Sequence, residues 1–441
     1  MFIPELICDA KNRQGVIFFG ALASYRQETF TAESSSPTAL WARFCSTNYR
    51  PDMTSPDMTG NMPTQRDTRI DVFRALALLT IFVNHVPGTI FEYVTHKNFG
   101  FSDSAEAFVL ISGIAVGLAY GLKFQPGNRL LITLKAWRRA GVLYVTHVMT
   151  TVATLAIFSA AALHFSRPDL LKLINIQMII EDTPEALLGI AALGHQIGYN
   201  NILSMYAVVL LMMPLFLWIG TFSLRLMLAA SALLWLIAGI FQIAPSNFPG
   251  DGFWFLNPLS WQFLFVIGIA GMLHVKRGGE IRFNWMMASA AVGYLVGALI
   301  WVRLPLWGIE TASGLPTVLT GFDKTFLSLS RLMHILAIAY LIVAIPALSN
   351  LARTRPGHPL AVLGKHSLPV FIAGTIFAMI AQVMKVVSPG GLLYDAILIS
   401  TGIALQFGFA YYLEWLPRIG WGGKKQQPVA ALPSAALKLA S

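Results

Sequence analysis

The segment RALALLTIFVNH, residues 74–85, is apolar along its length except for an arginine at one end and an Asn-His pair at the other. Its composition predicts a helix inside a membrane. Arg74 and His85 are eleven positions apart, which at about 100° per residue is close to three full turns, so both should lie on the same face. The rise between them is about 16 Å. Ionisable groups at such depth usually face a polar cavity.

The whole chain has the composition of an integral membrane protein. Of its 441 residues, 56% are hydrophobic and only 12% are charged, and the mean hydropathy is +0.63. A soluble domain carries about twice this charged fraction. Several apolar runs approach the ~20 residues that a helix needs to cross the hydrocarbon core of a bilayer. The sequence therefore predicts an all-α polytopic membrane protein.

Ten spans are predicted from the apolar runs. They lie near residues 72–94, 103–122, 141–164, 201–220, 223–243, 259–275, 284–303, 326–348, 367–387 and 392–416. Lys and Arg follow the even-numbered spans, whereas the opposite loops are acidic, and this bias predicts that both termini are cytoplasmic. The net charge of +10 is mostly this topology signal, so nucleic acid is not expected as a partner.

The two ends of the chain differ from the membrane part. Residues 1–64 are rich in Ser, Thr, Pro and Asp and are predicted to be a disordered extension, with Met62 close to the expected start. Residues 65–416 form the predicted membrane domain, and residues 417–441 a flexible cytoplasmic tail. The two cysteines, Cys8 and Cys45, precede the first span. No disulfide or cysteine-ligated metal is therefore expected in the membrane part.

Other predicted spans also contain polar residues that suit an internal cavity. They are Asp103 and Glu106 at the outer start of span two, Arg138 and Arg139 at the inner start of span three, and Arg331 and His334 in span eight. Each residue also has a structural interpretation, such as a helix cap for Asp103 or a topology marker for the arginine pair. The nine histidines show no metal-ligand spacing, and no motif of a soluble enzyme is present.

Four segments together resemble the OpgC family of membrane succinyltransferases that modify osmoregulated periplasmic glucans. They are RIDVFRALALLTIFVNH (69–85), FSDSAEAFVLISG (101–113), NPLSWQFLFVIG (257–268) and LGKHSLPVFIAG (363–374). The resemblance covers roughly residues 66–416. This family is similar in turn to the acyltransferase-3 and wider transmembrane acyltransferase group, whose first span carries Arg, ten residues, then His. Arg74 and His85 match that spacing.

The resemblance implies acyl transfer from cytoplasmic acyl-CoA, with succinyl-CoA as the expected co-substrate, to a hydroxyl of a periplasmic glucan at the bacterial inner membrane. We expect Arg74, with Arg138 or Arg139, to hold the donor phosphates. His85 would act as general base on the sugar hydroxyl, or carry the acyl group transiently. Three further roles are expected. Asp103 or Glu106 would orient His85 or grip the acceptor, and Asn84 or a serine hydroxyl would stabilise the oxyanion. Arg331 and His334 would bind the acyl carboxylate or pair with Asp103 or Glu106.

Three alternatives stay open at the level of sequence. Another acyl group such as acetyl, or another acceptor such as lipopolysaccharide or exopolysaccharide, would leave the same motifs. A proton-coupled secondary transporter also places histidine and arginine in its spans, although matched broken helices are not seen. A structural subunit without chemistry would not explain the shared face of Arg74 and His85. No bound cofactor is expected from the sequence. The sequence does not indicate an oligomeric state.

Overall fold

The computed structural model describes residues 67–309 and 314–419. The predicted extension, residues 1–64, and all of the predicted tail except residues 417–419 lie outside the described residues. Within the described ranges, the chain contains fifteen α-helices and no β-strand. The helices are α1 Arg69–Asn84, α2 Ser104–Tyr120, α3 Arg129–His164, α4 Gln177–Glu181, α5 Thr183–Ala191, α6 Asn201–Phe222, α7 Leu224–Ile240, α8 Pro258–Lys276, α9 Trp285–Arg303, α10 Thr317–Thr320, α11 Leu329–Ala344, α12 Pro346–Leu351, α13 Pro359–Lys365, α14 Ser367–Val387 and α15 Leu392–Trp415. Short 3-10 helices lie at Ile90–Val94, His96–Asn98, Gly121–Lys123, Pro168–Lys172 and Leu416–Ile419.

Each of the ten predicted spans contains one of these helices. Seven of them in the described ranges are long and apolar enough to cross a membrane, namely α2 with the turn after it, α3, α6, α8, α9, α14 and α15 with the turn after it. Helices α7 and α11 are shorter apolar helices, and α1 has 16 residues. The all-helical membrane class is therefore confirmed, whereas the count of ten spans stays a prediction.

The first helix ends at Asn84, so the predicted span 72–94 is wrong at its outer end. Pro87 has no N–H to donate and disfavours helical backbone at Val86, and Gly88 then adopts φ +82°. Residues 90–94 form a separate 3-10 helix. The hydroxyl of Thr95 donates to Oδ1 of Asn84 over 2.7 Å, which ties this loop back to the end of α1.

Helix α3 is longer than predicted at its inner end. It begins at Arg129 and has 36 residues, whereas the hydropathy pattern predicts a start near residue 141. The amphipathic stretch before that point continues the same helix. Arg138 and Arg139, which the sequence places at the start of span three, therefore lie inside α3, about three turns from its first residue.

The helices at the centre pack closely because glycines face backbone. A Cβ atom at Gly113 of α2 would overlap the carbonyl oxygen of Phe265 in α8, and one at Gly268 of α8 would overlap the carbonyl oxygen of Leu110. Small residues allow this approach between membrane helices. In the same way, Gly364 of α13 lies against the backbone of α1. Helices α2, α13 and α14 all contact α1, so α1 is packed against three other helices.

The outer connection between α3 and α6 is helical for much of its length, in line with the predicted interfacial segment. The apolar residues of this connection, about 165–200, predict either an interfacial helix or a simple connector lying on the membrane. It contains the 3-10 helix Pro168–Lys172 followed by α4 and α5. Ile180, Leu187 and Leu188 are exposed, as expected for apolar side chains at a membrane surface. The connection then turns inward, and its last residues, His195 to Asn200, are buried or half-buried. It thereby brings Tyr199 into the bundle.

Candidate functional site

His85 lies at the outer end of α1, where it is the residue that caps the helix. Its half-buried imidazole stacks on the ring of Tyr199, with centroids 4.0 Å apart and planes 11° apart. Its carbonyl oxygen accepts a hydrogen bond of 2.8 Å from Nε2 of Gln382 in α14. Its Nδ1 atom is buried without a hydrogen-bond partner among the described residues. The stack therefore holds the ring and the bond from Gln382 holds the backbone at His85, while Nδ1 keeps its capacity to bind.

Asn84 beside it is engaged in the local structure. Its Oδ1 atom accepts from the Thr95 hydroxyl, so the side chain holds the loop that follows α1. The expected oxyanion role of Asn84 stays a prediction. The side chain that stacks on the His85 ring is Tyr199, which hydropathy does not single out because it falls in a connection. The local signal is the GYNN run, residues 198–201, a polar turn immediately before an apolar helix.

Asp103 and Glu106 form the start of α2. The Asp103 side chain accepts from the backbone N–H of Ala105 over 2.8 Å, and Glu106 accepts from the backbone N–H of Asp103 over 2.9 Å. This reciprocal pair is a capping box. The structural interpretation of Asp103 is therefore confirmed, and its catalytic role stays a prediction.

The same two carboxylates also pair with cations from the far side of the bundle. Nε of Arg331 donates to Glu106 over 2.7 Å, and its Nη2 lies 3.4 Å from Asp103. Nζ of Lys324 pairs with Asp103 as well. Glu106 is fully buried, so Arg331 offsets a charge that would be costly alone. The expected pairing of Arg331 with Asp103 and Glu106 is present, whereas binding of an acyl carboxylate by Arg331 stays a prediction.

His334 lies one turn after Arg331 but contacts another residue. Its Nδ1 atom is 2.7 Å from the hydroxyl of Ser102, and the ring is almost fully buried. A Cβ atom at Gly100 would overlap this ring. The expected pairing of His334 with the acidic residues is thus replaced by a hydrogen bond to a serine next to them.

The charges of this cluster reach the His85 site. Lys324 and Asp103 are close enough for their charges to act on the His85 imidazole, and Lys97 from the loop after α1 acts on it too. The cluster was partly visible in the sequence through Asp103, Glu106 and Arg331. Lys324 could not be predicted as a member of the cluster, because it lies in the loop before α11 and a lysine in a loop is normally exposed to solvent.

The arginines at the inner end meet in one cavity. Arg74 of α1 and Arg139 of α3 both line a cavity of about 30 Å³, together with Ser112, Tyr206 and Ser367. Nη1 of Arg74 lies 3.8 Å from Oδ1 of Asp71 one turn earlier. Arg138 lies outside the lining of this cavity. Of the two arginines left open by the sequence, the structure thus brings Arg139 to Arg74.

A larger cavity of about 590 Å³ opens at the same end of α1. Its lining includes Asp71, Lys365 and Arg418. Glu414 also lines it, and its carboxylate accepts from Nζ of Lys365 over 2.8 Å and lies 3.0 Å from Nε2 of His366. Both cavities thus border the first half of α1, while the lining of the larger one carries charges of both signs.

Three further polar residues near His85 are fully buried. They are His147 and Thr151 of α3 and Asn200 before α6. Nδ1 of His147 lies 3.3 Å from the carbonyl oxygen of Asn200. Buried polar atoms normally have partners, yet Nε2 of His147, Oγ1 of Thr151 and both amide atoms of Asn200 have none among the described residues. His147 and Thr151 are four positions apart and therefore share one face of α3.

Comparison with known proteins gives one finding for almost the whole of the described chain. A family model described as OpgC protein matches residues 66–418. None of the curated proteins matches the chain. The matched range contains all the residues of the candidate site, from Arg74 on α1 to Glu414 on α15.

Proposed function

The chain belongs to the OpgC family, and on that premise we propose that it moves an acyl group, expected to be succinyl, from cytoplasmic acyl-CoA to a hydroxyl of a periplasmic glucan. Family membership supports the coarser part, an OpgC-type acyltransferase in glucan modification. The observation that carries the finer part is the arrangement along α1. Arg74 in its first half shares a cavity with Arg139, and its outer end carries His85 in a polar, half-buried setting.

The inner cations suit the phosphates of the donor. A guanidinium forms paired, charge-assisted hydrogen bonds with phosphate oxygens, and two guanidiniums on different helices can grip one diphosphate. The rise from Arg74 to His85 along α1 is about 16 Å. A thin pantetheine arm anchored at the arginines would place its thioester near His85, so one bound donor would connect the two ends of the helix.

The chemical step then needs one base. The sugar hydroxyl oxygen attacks the thioester carbonyl carbon, the new C–O ester bond forms and the C–S bond breaks. His85 accepts the hydroxyl proton and returns it to the departing thiolate sulfur, which leaves as the thiol of CoA. The stacked Tyr199 keeps the imidazole oriented and the bond from Gln382 fixes the backbone that carries it, which such a transfer requires. The same setting would serve if His85 first carried the acyl group itself.

The charged cluster next to His85 supports a dicarboxylic acyl group. Succinyl brings a second carboxylate, and Lys324 and Arg331 are cations on the outer side of the site. Both cations already pair with Asp103. The free carboxylate of the succinyl group would share these two cations with Asp103. An acetyl group would gain nothing from them. Succinyl-CoA is therefore the donor with which the test begins.

The test uses the purified full chain in liposomes, with radiolabelled succinyl-CoA on one side and periplasmic glucan on the other. We expect label in the glucan with the wild type and none with His85→Ala. His164→Ala is the matched control, because that histidine is exposed at the end of α3 and should retain normal transfer. Normal transfer by His85→Ala would refute the proposed site.

Two other outcomes would redirect the assignment. Label from acetyl-CoA, or in another envelope polysaccharide but not in the glucan, would retain the enzyme class and replace the substrate. Absence of transfer from any donor, together with uptake of solute coupled to a proton gradient, would assign the chain to the transporters.

A further inference from the structure

The unpartnered buried atoms of this protein are concentrated beside His85. Nine buried side-chain nitrogen or oxygen atoms in the described residues have no hydrogen-bond partner, and five of them belong to His85, His147, Thr151 and Asn200. Tyr199, which stacks on His85, directly precedes Asn200, and the Asn200 carbonyl faces His147. Thr151 lies one turn after His147 on α3, so His147, Thr151 and Asn200 form one buried polar pocket, which Tyr199 joins to the His85 ring.

The hydrogen-bonding capacity of this pocket can be assigned. A carbonyl oxygen only accepts, so Nδ1 of His147 must carry the proton that it donates to Asn200. In the neutral ring, Nε2 is then a bare acceptor. Asn200 stands at the cap position of α6 without using its side chain as a cap, so its amide offers both a donor and an acceptor. Thr151 adds a hydroxyl. The pocket therefore suits a group that both donates and accepts, such as another amide.

The pocket lies between the inner arginines and His85. Leu143, one turn before His147 on α3, lines the cavity that holds Arg74 and Arg139. Leu203, three residues after Asn200, lines it too. A donor that extends from the arginines to His85 would pass this pocket just before its thioester.

Burial decides between the arm of the donor and the glucan. His147, Thr151 and Asn200 are each 0% exposed, so a branched or ring-shaped acceptor has no room at their side chains. The part of the pantetheine arm next to the sulfur is unbranched and is therefore the narrower of the two groups. The pantetheine arm carries two amides, and the nearer of them is separated from the sulfur by two carbons.

We propose that the polar pocket of His147, Thr151 and Asn200 binds the amide of the donor arm nearest the thioester. This inference rests on the proposed function. Nε2 of His147 accepts from the N–H of the arm amide, and the Asn200 side-chain NH₂ and the Thr151 hydroxyl donate to its carbonyl oxygen, which has two lone pairs. The pocket would thereby place the thioester carbonyl at His85 and favour thioesters that carry an amide at this distance over those that do not.

Two short donors test this inference. One is the succinyl thioester of N-acetylcysteamine, which carries the amide, and the other is the succinyl thioester of a pentyl thiol, which matches its length without the amide. With glucan as acceptor, the wild type should prefer the first by about tenfold or more in kcat/KM, the difference made by about one well-placed hydrogen bond. Asn200→Leu and Thr151→Val should each reduce this preference, and KM for the glucan should stay constant.

The control is Thr150→Val. Thr150 is almost fully buried, but its hydroxyl bonds to the carbonyls of Thr146 and His147 within α3, so it should retain the preference. Wild-type transfer without any amide preference, or a preference that survives in Asn200→Leu, would overturn the inference and leave the proposed function intact. A change confined to KM for the glucan would also overturn it. Failure of the wild type with both short donors and with succinyl-CoA would instead be a failure of the proposed function.

Discussion

The imidazole of His85 lies flat against the ring of Tyr199, with centroids 4.0 Å apart, although 114 positions separate the two residues in the chain. Stacked rings contribute about 0.5–1.5 kcal/mol beyond the area that they bury. Tyr199→Leu should therefore lower kcat roughly tenfold and leave donor KM little changed, because the histidine loses its orientation rather than its partner. Tyr199→Phe retains the stack and should lose much less. Equal losses in the two variants, measured by steady-state transfer, would show that the hydroxyl rather than the stack matters.

The cavity shared by Arg74 and Arg139 predicts different effects for two adjacent arginines. Arg139→Gln should raise KM for succinyl-CoA about tenfold, because a charge-assisted hydrogen bond contributes about 1.5–3 kcal/mol. Arg138→Gln should leave KM close to that of the wild type, since this residue lies outside the cavity lining. Donor titrations at constant ionic strength give both values. A larger effect at Arg138 would contradict the assignment.

The buried pair of Arg331 and Glu106 predicts a stability effect that activity measurements alone would miss. Arg331→Leu should destabilise the protein by about 3–5 kcal/mol, because it leaves the fully buried Glu106 carboxylate without its closest cation. Arg331→Leu combined with Glu106→Leu should recover much of this loss. Equilibrium unfolding in mixed detergent micelles measures both.

The exposed pair of Arg167 and Asp169 is the control for this prediction. The two side chains are 43% and 51% exposed, so Arg167→Leu should produce no measurable change in the unfolding free energy. If Arg331→Leu also leaves the unfolding free energy unchanged, the buried pair does not stabilise the fold.

The crossing of α2 and α8 requires a glycine. Gly113→Ala would place a Cβ atom against the carbonyl oxygen of Phe265, so the helices must separate, at a cost of about 1–3 kcal/mol. Gly141→Ala is the matched control within α3, because its new Cβ would meet no atom within 4 Å and alanine favours helix over glycine. Thermal unfolding should show a lower midpoint for the first variant and an equal or higher one for the second.

His195 in the outer connection predicts a dependence of stability on pH. Burial lowers the pKa of this imidazole below its ordinary value of 6.5, against the opposing effect of its contact with the Asn175 carbonyl. The folded state therefore prefers the neutral ring. Its contribution to stability is fully present above pH 6.5 and declines as the pH falls from 6.5 towards the lower pKa of the folded state.

The measurement is the melting temperature of the wild type and His195→Gln between pH 7.5 and pH 5. We expect the wild type to lose stability faster than the variant across this interval. Parallel curves would show that His195 does not contribute to the acid sensitivity of the fold.

Much of this architecture could be predicted from local patterns. Hydropathy located all ten helical segments, because a helix in lipid needs a continuous apolar run wherever it lies. The relative position of Arg74 and His85 could be predicted equally well, since His85 directly follows the helix that contains Arg74. The error at the end of α1 was also local, because Pro87 and Gly88 interrupt an apolar run that hydropathy alone extends to residue 94.

The contacts that build the site were not readable in this way. Gln382 bonds to His85 across 297 positions, and Arg331 bonds to Glu106 across 225. An apolar run does not encode which helix packs against it, and Lys324, Tyr199 and Asn200 lie in connections with no periodicity. The sequence by itself therefore determined the class of protein, the helices and the residues that share a face of α1. Only the tertiary structure decided that Arg139 rather than Arg138 joins Arg74, and that Tyr199 and Asn200 join His85, because these choices depend on how separate helices pack.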